Sequence, residues 1–209
     1  IFKIKFVMNL TTNREIFFFK KVPSFLIIFL PLTLITGPFL SDLSISIVSI
    51  IFIIFIIKYK NYNLLNNLFS KVFFIFWIYI LFNSLLINFE ITSLKISFFY
   101  FRFLFFSLAV SYLLEINDKL LKQIFYSFLL CFILLIFDGY FQYFFGQNII
   151  GMKLPYGPRV SSFFGDELIL GSYLSRLFPI FFGLTIFLFK DNIKKILLIS
   201  IIFILLEGL

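Results

Sequence analysis

The chain has 209 residues, of which 62% are hydrophobic and only 13% are charged, and 37 of them are phenylalanine. A water-soluble domain cannot bury so many apolar side chains, so the composition excludes a soluble globular protein. The sequence has no histidine and one cysteine, Cys131. This excludes a disulfide framework and histidine-based zinc, haem or triad chemistry within the chain.

Seven apolar runs follow a basic lead over residues 1–21. They lie at 24–40, 43–57, 72–89, after 88–95, at about 123–145, at 168–189, and from Ile196 onward. Most of them approach the roughly 20 residues that a helix needs to cross about 30 Å of hydrocarbon. In lipid the backbone must bond internally, so helices are the expected form. We predict an all-α, polytopic transmembrane helix bundle of about seven spans, the last truncated, forming one incomplete transmembrane domain over residues 1–209.

The first two runs are expected to form a helical hairpin that turns at residues 37–42. The first run continues through Pro31 and Gly37 without an Ala-x-Ala-like cleavage site, and the next run follows at once. We therefore expect a retained first helix and not a cleaved signal peptide.

Of the 18 basic residues, 16 lie in short clusters between the apolar runs, which membrane topology explains better than nucleic-acid binding. If the N-terminus is cytoplasmic, 13 of them fall in cytoplasmic segments, and only Lys95, Lys153 and Arg159 fall on the opposite side. This positive-inside asymmetry predicts a cytoplasmic N-terminus. It also places the longest connection between spans, residues 146–165, on the outer, periplasm-like face.

Three charged residues interrupt the apolar spans: Arg102, Asp138 and Arg176. A charge at membrane depth costs a few kcal/mol on insertion scales, roughly 2.5–3.5, so these positions are candidates for function, and all three are predicted to border one outward-facing cavity. Two interpretations stay open. Asp138 pairs with one arginine as a structural ion pair, or the arginines, with Lys153 and Arg159 in the adjoining loop, bind an anion such as a diphosphate.

Helical spacing predicts that two polar stripes face inward from neighbouring spans. Asp138 and Gln142 are one turn apart on the fifth span, whereas the stripe of the sixth span comprises Asp166, Ser172, Tyr173 and Arg176. Asp166 and Glu167 also suit the first turn of the sixth helix, where acids complement the helix dipole. The glycine-rich stretch 146–159 is compatible with a plain solvated turn, and it matches no Walker or dinucleotide pattern.

The sequence DGYFQY at 138–143, the loop 146–159, and above all RVSSFFGDELILGSYLSRLFP at 159–179 resemble the O-antigen ligase and polymerase-like family. The resemblance implies a glycosyltransferase of the bacterial inner membrane. It would transfer an undecaprenyl-diphosphate-linked glycan on the periplasmic face to lipid A-core or to a growing glycan. It implies no metal, no cofactor and no nucleotide sugar.

The resemblance also implies roles for individual residues. Arg159 and Arg176 would be catalytic and, with Arg102, would hold the donor diphosphate. The expected supporting polar residues are Asp138, Gln142, Asp166, Glu167 and Tyr173. The family's large periplasmic loop between later helices is absent from this chain, so a fragment ending at Leu209 is expected to be inactive, and ligase and polymerase are not distinguished.

Two other function classes fit the sequence. A transporter or flippase of polyprenyl-linked glycans also has intramembrane charges and broken helices. A membrane assembly partner would use its buried charges only to fix helix packing.

Overall fold

A computed structural model describes residue 15 and residues 17–86, 90–154, 159–189 and 193. Within these ranges the protein is all-α, as predicted, and has six helical stretches long and apolar enough to cross a membrane. They are Phe17–Ile35, Pro38–Tyr59, Leu68–Leu86, Ile91–Ile116, Leu120–Phe145 and Leu170–Leu188. The chain is therefore a polytopic helical membrane protein. The predicted seventh span, from Ile196, lies outside the described residues.

The spans resolve into helices numbered here in chain order. These are α1 (Val22–Ile35), α2 (Pro38–Tyr59), α3 (Leu68–Leu86), α4 (Ile91–Phe99), α5 (Arg102–Ile116), α6 (Leu120–Phe145) and α7 (Leu170–Leu188). A π-helical turn, Phe17–Lys21, leads into α1, and short 3-10 helices occupy Tyr62–Leu65 and Ser162–Phe164. The turn between α1 and α2 is shorter than the predicted 37–42. Gly37 has a φ of +119°, which an L side chain rarely adopts, and Pro38 already begins α2.

The fourth span starts at Ile91, earlier than expected, and is broken between α4 and α5 at Tyr100 and Phe101. No glycine or proline marks this break in the sequence. Side chains satisfy the backbone carbonyls near it. The indole Nε1 of Trp77 donates to the Ser97 carbonyl at 3.0 Å, and the Ser49 hydroxyl donates to the Arg102 carbonyl at 2.7 Å. Such partners allow a helix to break inside a membrane.

The chain divides into two compact units, of which the first comprises Ile1–Ile27 and Leu43–Ile116. Its core includes side chains of α2 and α5, and the small residues Ser49 and Ala109 are buried in it. The ring of Tyr112 packs against those of Phe52 and Phe55, with centroids 5.9 and 5.1 Å away. Because lipid is as apolar as these side chains, close packing stabilises the unit more than burial from water does.

The second unit comprises Ile28–Asp42 and Asn117–Leu209. Its core lies between α6 and α7, where Phe181 stacks on Phe125 at 5.3 Å and packs on Phe132 at 5.0 Å. Val160, which lies in the connection between the two helices, is buried in the same core. The core thus holds the residue 146–165 loop at one end of α6 and α7. The single domain predicted over residues 1–209 stays a prediction.

The start of the sixth span differs from the prediction. Helix α7 begins at Leu170, and its first turn contains no acidic residue. Asp166 and Glu167 precede the helix and are exposed. The chain turns at Gly165, whose φ is +62°, so the helical spacing assumed for Asp166 does not apply. Both suggested helical placements of these acids were wrong.

Candidate functional site

A buried polar cluster lies where α6 meets the loop of residues 146–165. Its five members are almost inaccessible to solvent and come from three segments: Asp138, Gln142, Asn148, Ser161 and Ser162. Buried polar groups are costly unless they are hydrogen-bonded, so their partners indicate what the cluster does.

Asp138 uses both carboxylate oxygens on the loop. Oδ1 accepts from the backbone N–H of Ile149 at 2.9 Å, and Oδ2 accepts from the Ser162 hydroxyl at 2.5 Å. Within its own unit, Asp138 forms no salt bridge with Arg159 or Arg176 among the described residues. The ion pair of Asp138 with Arg176, one of the interpretations left open, is therefore not found among the described residues, whereas a pair with Arg102 stays a prediction. Charge-assisted hydrogen bonds to the loop stabilise the carboxylate instead.

Gln142, one turn further along α6, holds the far side of the loop. Its Oε1 accepts from the backbone N–H groups of Ser161 at 3.0 Å and Ser162 at 2.7 Å. Its Nε2 lies 3.4 Å from the Met152 carbonyl and from the Ser161 hydroxyl, which are weaker contacts. The α6 stripe of Asp138 and Gln142 faces inward, as helical spacing predicted.

The Asn148 side chain links residues 150 and 152 of the loop to Ser162 by hydrogen bonds. Its Oδ1 accepts from the backbone N–H groups of Ile150 at 3.1 Å and Met152 at 2.7 Å. Its Nδ2 donates to the Ser162 carbonyl at 2.9 Å. An asparagine that bonds backbone groups a few residues ahead is a common way to stabilise a tight turn.

Ser162 is the residue on which these bonds converge. Its N–H, carbonyl and hydroxyl bond to Gln142, Asn148 and Asp138 respectively. Its φ of +53° is uncommon for a residue with a side chain, and such a conformation persists only where the surroundings over-determine it. The cluster is buried and bonds to the loop backbone, so it positions the loop.

The loop leaves its basic side chains outside this cluster. Lys153 and Arg159 are exposed, whereas Val160, next to Arg159, is buried. No carboxylate in the described part of the chain lies within salt-bridge distance of either basic group. The buried Val160 and Ser161 therefore fix the backbone from which the Arg159 guanidinium extends.

On helix α7, the Tyr173 hydroxyl is hydrogen-bonded within the protein, whereas the Arg176 side chain is exposed. The Tyr173 hydroxyl donates to the Pro31 carbonyl of α1 at 2.6 Å, within the second unit. Arg176 and Ser172 are exposed, which differs from the inward stripe that spacing predicted. Arg176 lies six residues beyond the first residue of α7, or about 9 Å along the axis. A side chain as long as arginine reaches the membrane interface from that depth.

Arg102 lies in the first unit, at the first residue of α5. Its Nη1 donates to the Ser46 hydroxyl at 3.4 Å, and its guanidinium lies 5.1 Å from the centroid of the Phe103 ring. These contacts are internal to that unit. A cavity shared by Arg102, Asp138 and Arg176 stays a prediction.

Metal ligands do not cluster in the described ranges of the chain. No group of three or more His, Cys, Asp or Glu side chains there is placed to hold a metal ion.

Comparison with known proteins gives no relative. No protein-family model matches the chain, and no curated protein or solved structure matches it significantly. The chain is a multi-pass helical membrane protein, and its described residues contain six candidate spans.

Sequence reasoning missed three members of the buried cluster: Asn148, Ser161 and Ser162. Small polar residues in a glycine-rich connection usually lie in water, so their types gave no sign of burial. One signal was available. Asn148 precedes Gly151 by three residues, a spacing typical of tight turns, and Gly151 has a φ of +91°.

Proposed function

We propose that this chain belongs to a membrane glycosyltransferase of the O-antigen ligase or polymerase type, in the bacterial inner membrane with a cytoplasmic N-terminus. The enzyme transfers an undecaprenyl-diphosphate-linked glycan, on the periplasmic face, to lipid A-core or a growing glycan. One observation carries the proposal. The buried cluster fixes a loop from which Arg159 extends into solvent, outside any salt bridge among the described residues.

The depth of the arginines suits a lipid-linked diphosphate. The diphosphate of such a donor lies at headgroup level, because its polyprenyl chain is in the hydrocarbon and its glycan is in water. Arg159 lies in the connection that ends at α7, and Arg176 lies within about two turns of the start of α7. Both guanidinium groups can therefore serve the same interface.

Guanidinium groups match the chemistry of the transfer. They bind phosphate oxygens through paired hydrogen bonds and keep their charge at every physiological pH. When the glycosidic bond to the lipid diphosphate breaks, negative charge grows on the leaving diphosphate. Arg159 and Arg176 stabilise that charge, which is how fixed cations lower the barrier to group transfer. Arg102 stays a predicted ligand of the donor diphosphate.

The other polar residues act by support. Asp138 and Gln142 hold the loop in place, and Tyr173 fastens α7 to α1 within the second unit. Asp166 and Glu167 are exposed between the loop and α7, where they are available to the hydroxyl groups of a glycan.

The test uses the complete reading frame that contains this chain, reconstituted in vesicles with a polyprenyl-diphosphate-linked glycan and an acceptor. We expect Arg159→Ala and Arg176→Ala each to lower transfer about 100-fold or more, as loss of one charge-stabilising group does in other enzymes. Arg176→Lys tests whether the paired geometry matters. Lys122→Ala, an exposed lysine on α6, is the matched control and should transfer normally.

Two results would overturn the proposal. Undiminished transfer by both arginine variants removes these residues from the mechanism. Movement of the lipid-linked glycan across the bilayer by the parent protein, without product, identifies a transporter or flippase instead.

A further inference from the structure

The first part of the 146–165 loop forms a small hairpin, residues 147–153. Gln147 and Lys153 form an antiparallel bridge, and the Asn148 N–H donates to the Met152 carbonyl at 2.8 Å. The Leu154 N–H closes the base of the hairpin on the Gly146 carbonyl at 3.1 Å. The chain reverses at Gly151, whose positive φ permits the turn.

Buried side chains hold the backbone of the hairpin by hydrogen bonds, whereas its exposed side chains are apolar. Asp138 and Asn148 bind its backbone N–H groups at Ile149, Ile150 and Met152 from the buried side. The side chains of Ile149 and Ile150 are consequently 54% and 66% exposed, and that of Met152 is 40% exposed. These three apolar side chains point outward from a hydrogen-bonded backbone. Together they form an exposed apolar patch, which is expected to contact a partner.

The position of the hairpin identifies that partner as lipid. Helix α6 ends at Phe145 on three exposed aromatic residues, Tyr143 to Phe145, and Gly146 stops the helix in a left-handed conformation. Aromatic residues at the end of a span lie at headgroup level. The hairpin starts at the next residue, so its tip is within reach of the same layer.

Charge at the base of the hairpin supports the same partner. The ammonium of Lys153 is exposed beside the apolar tip, and no carboxylate within the described ranges pairs with it. A basic group next to exposed aliphatic side chains is the pattern of segments that lie in a membrane interface, where the cation meets lipid phosphate.

We propose that the hairpin of residues 147–153 is an interfacial anchor. Its tip, Ile149 and Ile150, inserts between the lipids of the leaflet at that end of α6, and Lys153 binds their phosphate groups. The anchor fixes the depth of the loop that carries Arg159, independently of whichever reaction or transport the protein performs.

Site-directed spin labelling tests the depth directly. Cys131 is buried and is the only cysteine of the sequence, so a Cys131→Ala background permits a single label at Ile150→Cys. The control is a label at Asp118→Cys, an exposed position in the turn before α6, at the opposite end of that helix. Both proteins are the full chain, reconstituted in phosphatidylcholine and phosphatidylglycerol vesicles. Collision with oxygen reports lipid, and collision with a water-soluble nickel chelate reports water.

We expect the ratio of oxygen to nickel accessibility to be several-fold higher at position 150 than at position 118. Lys153→Gln should lower the ratio at position 150 in these anionic vesicles, but much less in vesicles of phosphatidylcholine alone. Equal ratios at the two positions overturn the anchor. Dipolar broadening between labels at position 150 overturns it too, because a second copy of the chain would then cover the tip. A far-ultraviolet circular dichroism spectrum equal to that of the parent verifies that each variant is folded.

Discussion

Replacing Gln142 by alanine should release one side of the 146–165 loop. The substitution removes the acceptor for two buried backbone N–H groups, those of Ser161 and Ser162. A buried donor without a partner costs about 1–3 kcal/mol, so the two together should destabilise the closed loop by about 2–6 kcal/mol. The two contacts of Nε2 at 3.4 Å are too long to add much.

Hydrogen exchange of the protein in lipid nanodiscs measures this loss locally. At about 1.4 kcal/mol per tenfold, protection of the amides of residues 159–165 should fall by about 30-fold or more. Gln142→Met keeps most of the side-chain volume without the acceptor and should behave like Gln142→Ala. Tyr143→Ala, at the next position, removes an exposed side chain from the same helix and should leave the loop protected.

The comparison between these variants shows whether hydrogen bonding or packing holds the loop. Full protection in Gln142→Met, together with loss in Gln142→Ala, would mean that packing and not hydrogen bonding holds the loop. Equal losses in Gln142→Ala and Tyr143→Ala would mean that the end of α6 is disturbed as a whole.

Two further predictions concern positions away from the loop. The residue Cys131 is 1% exposed, so maleimide should label the folded protein far more slowly than it labels Asp118→Cys, and equal rates would contradict the packing of α6. Lys20 Nζ donates to the Ile116 carbonyl at the end of α5, at 3.3 Å. Lys20→Met should lower stability by about 0.3–1 kcal/mol in a denaturation experiment, because a cation at a helix C-terminus is favourable, while exposed Lys21→Met should be neutral.

The spans could be predicted from the sequence because few backbone conformations are stable in lipid. Long runs of Phe, Leu and Ile cannot stay in water, and only internal hydrogen bonding is available in hydrocarbon, so the six spans of the described chain were predictable. Their ends were less so. Near the break at Tyr100 and Phe101, the indole of Trp77 donates to the Ser97 carbonyl, a contact between distant positions that no local pattern records.

The candidate site, like the spans, could be predicted only in part. The inward position of Asp138 and Gln142 followed from helical periodicity, since residues one turn apart share a face. The partners of Asp138 did not follow. Charge alone suggested an arginine, whereas the loop offered two nearer donors, the Ile149 N–H and the Ser162 hydroxyl. Helical periodicity also failed for Asp166, because the residue precedes α7 and has no helix face.

Trp77 gives the break between α4 and α5 an optical signal. It is the single tryptophan of the sequence, and its indole donates to carbonyls at the end of α4. The tryptophan fluorescence of this chain therefore originates at one place. A shift in its emission when the proposed lipid-linked donor is added would report rearrangement at the break without any label, and an unchanged spectrum would show that the break does not respond.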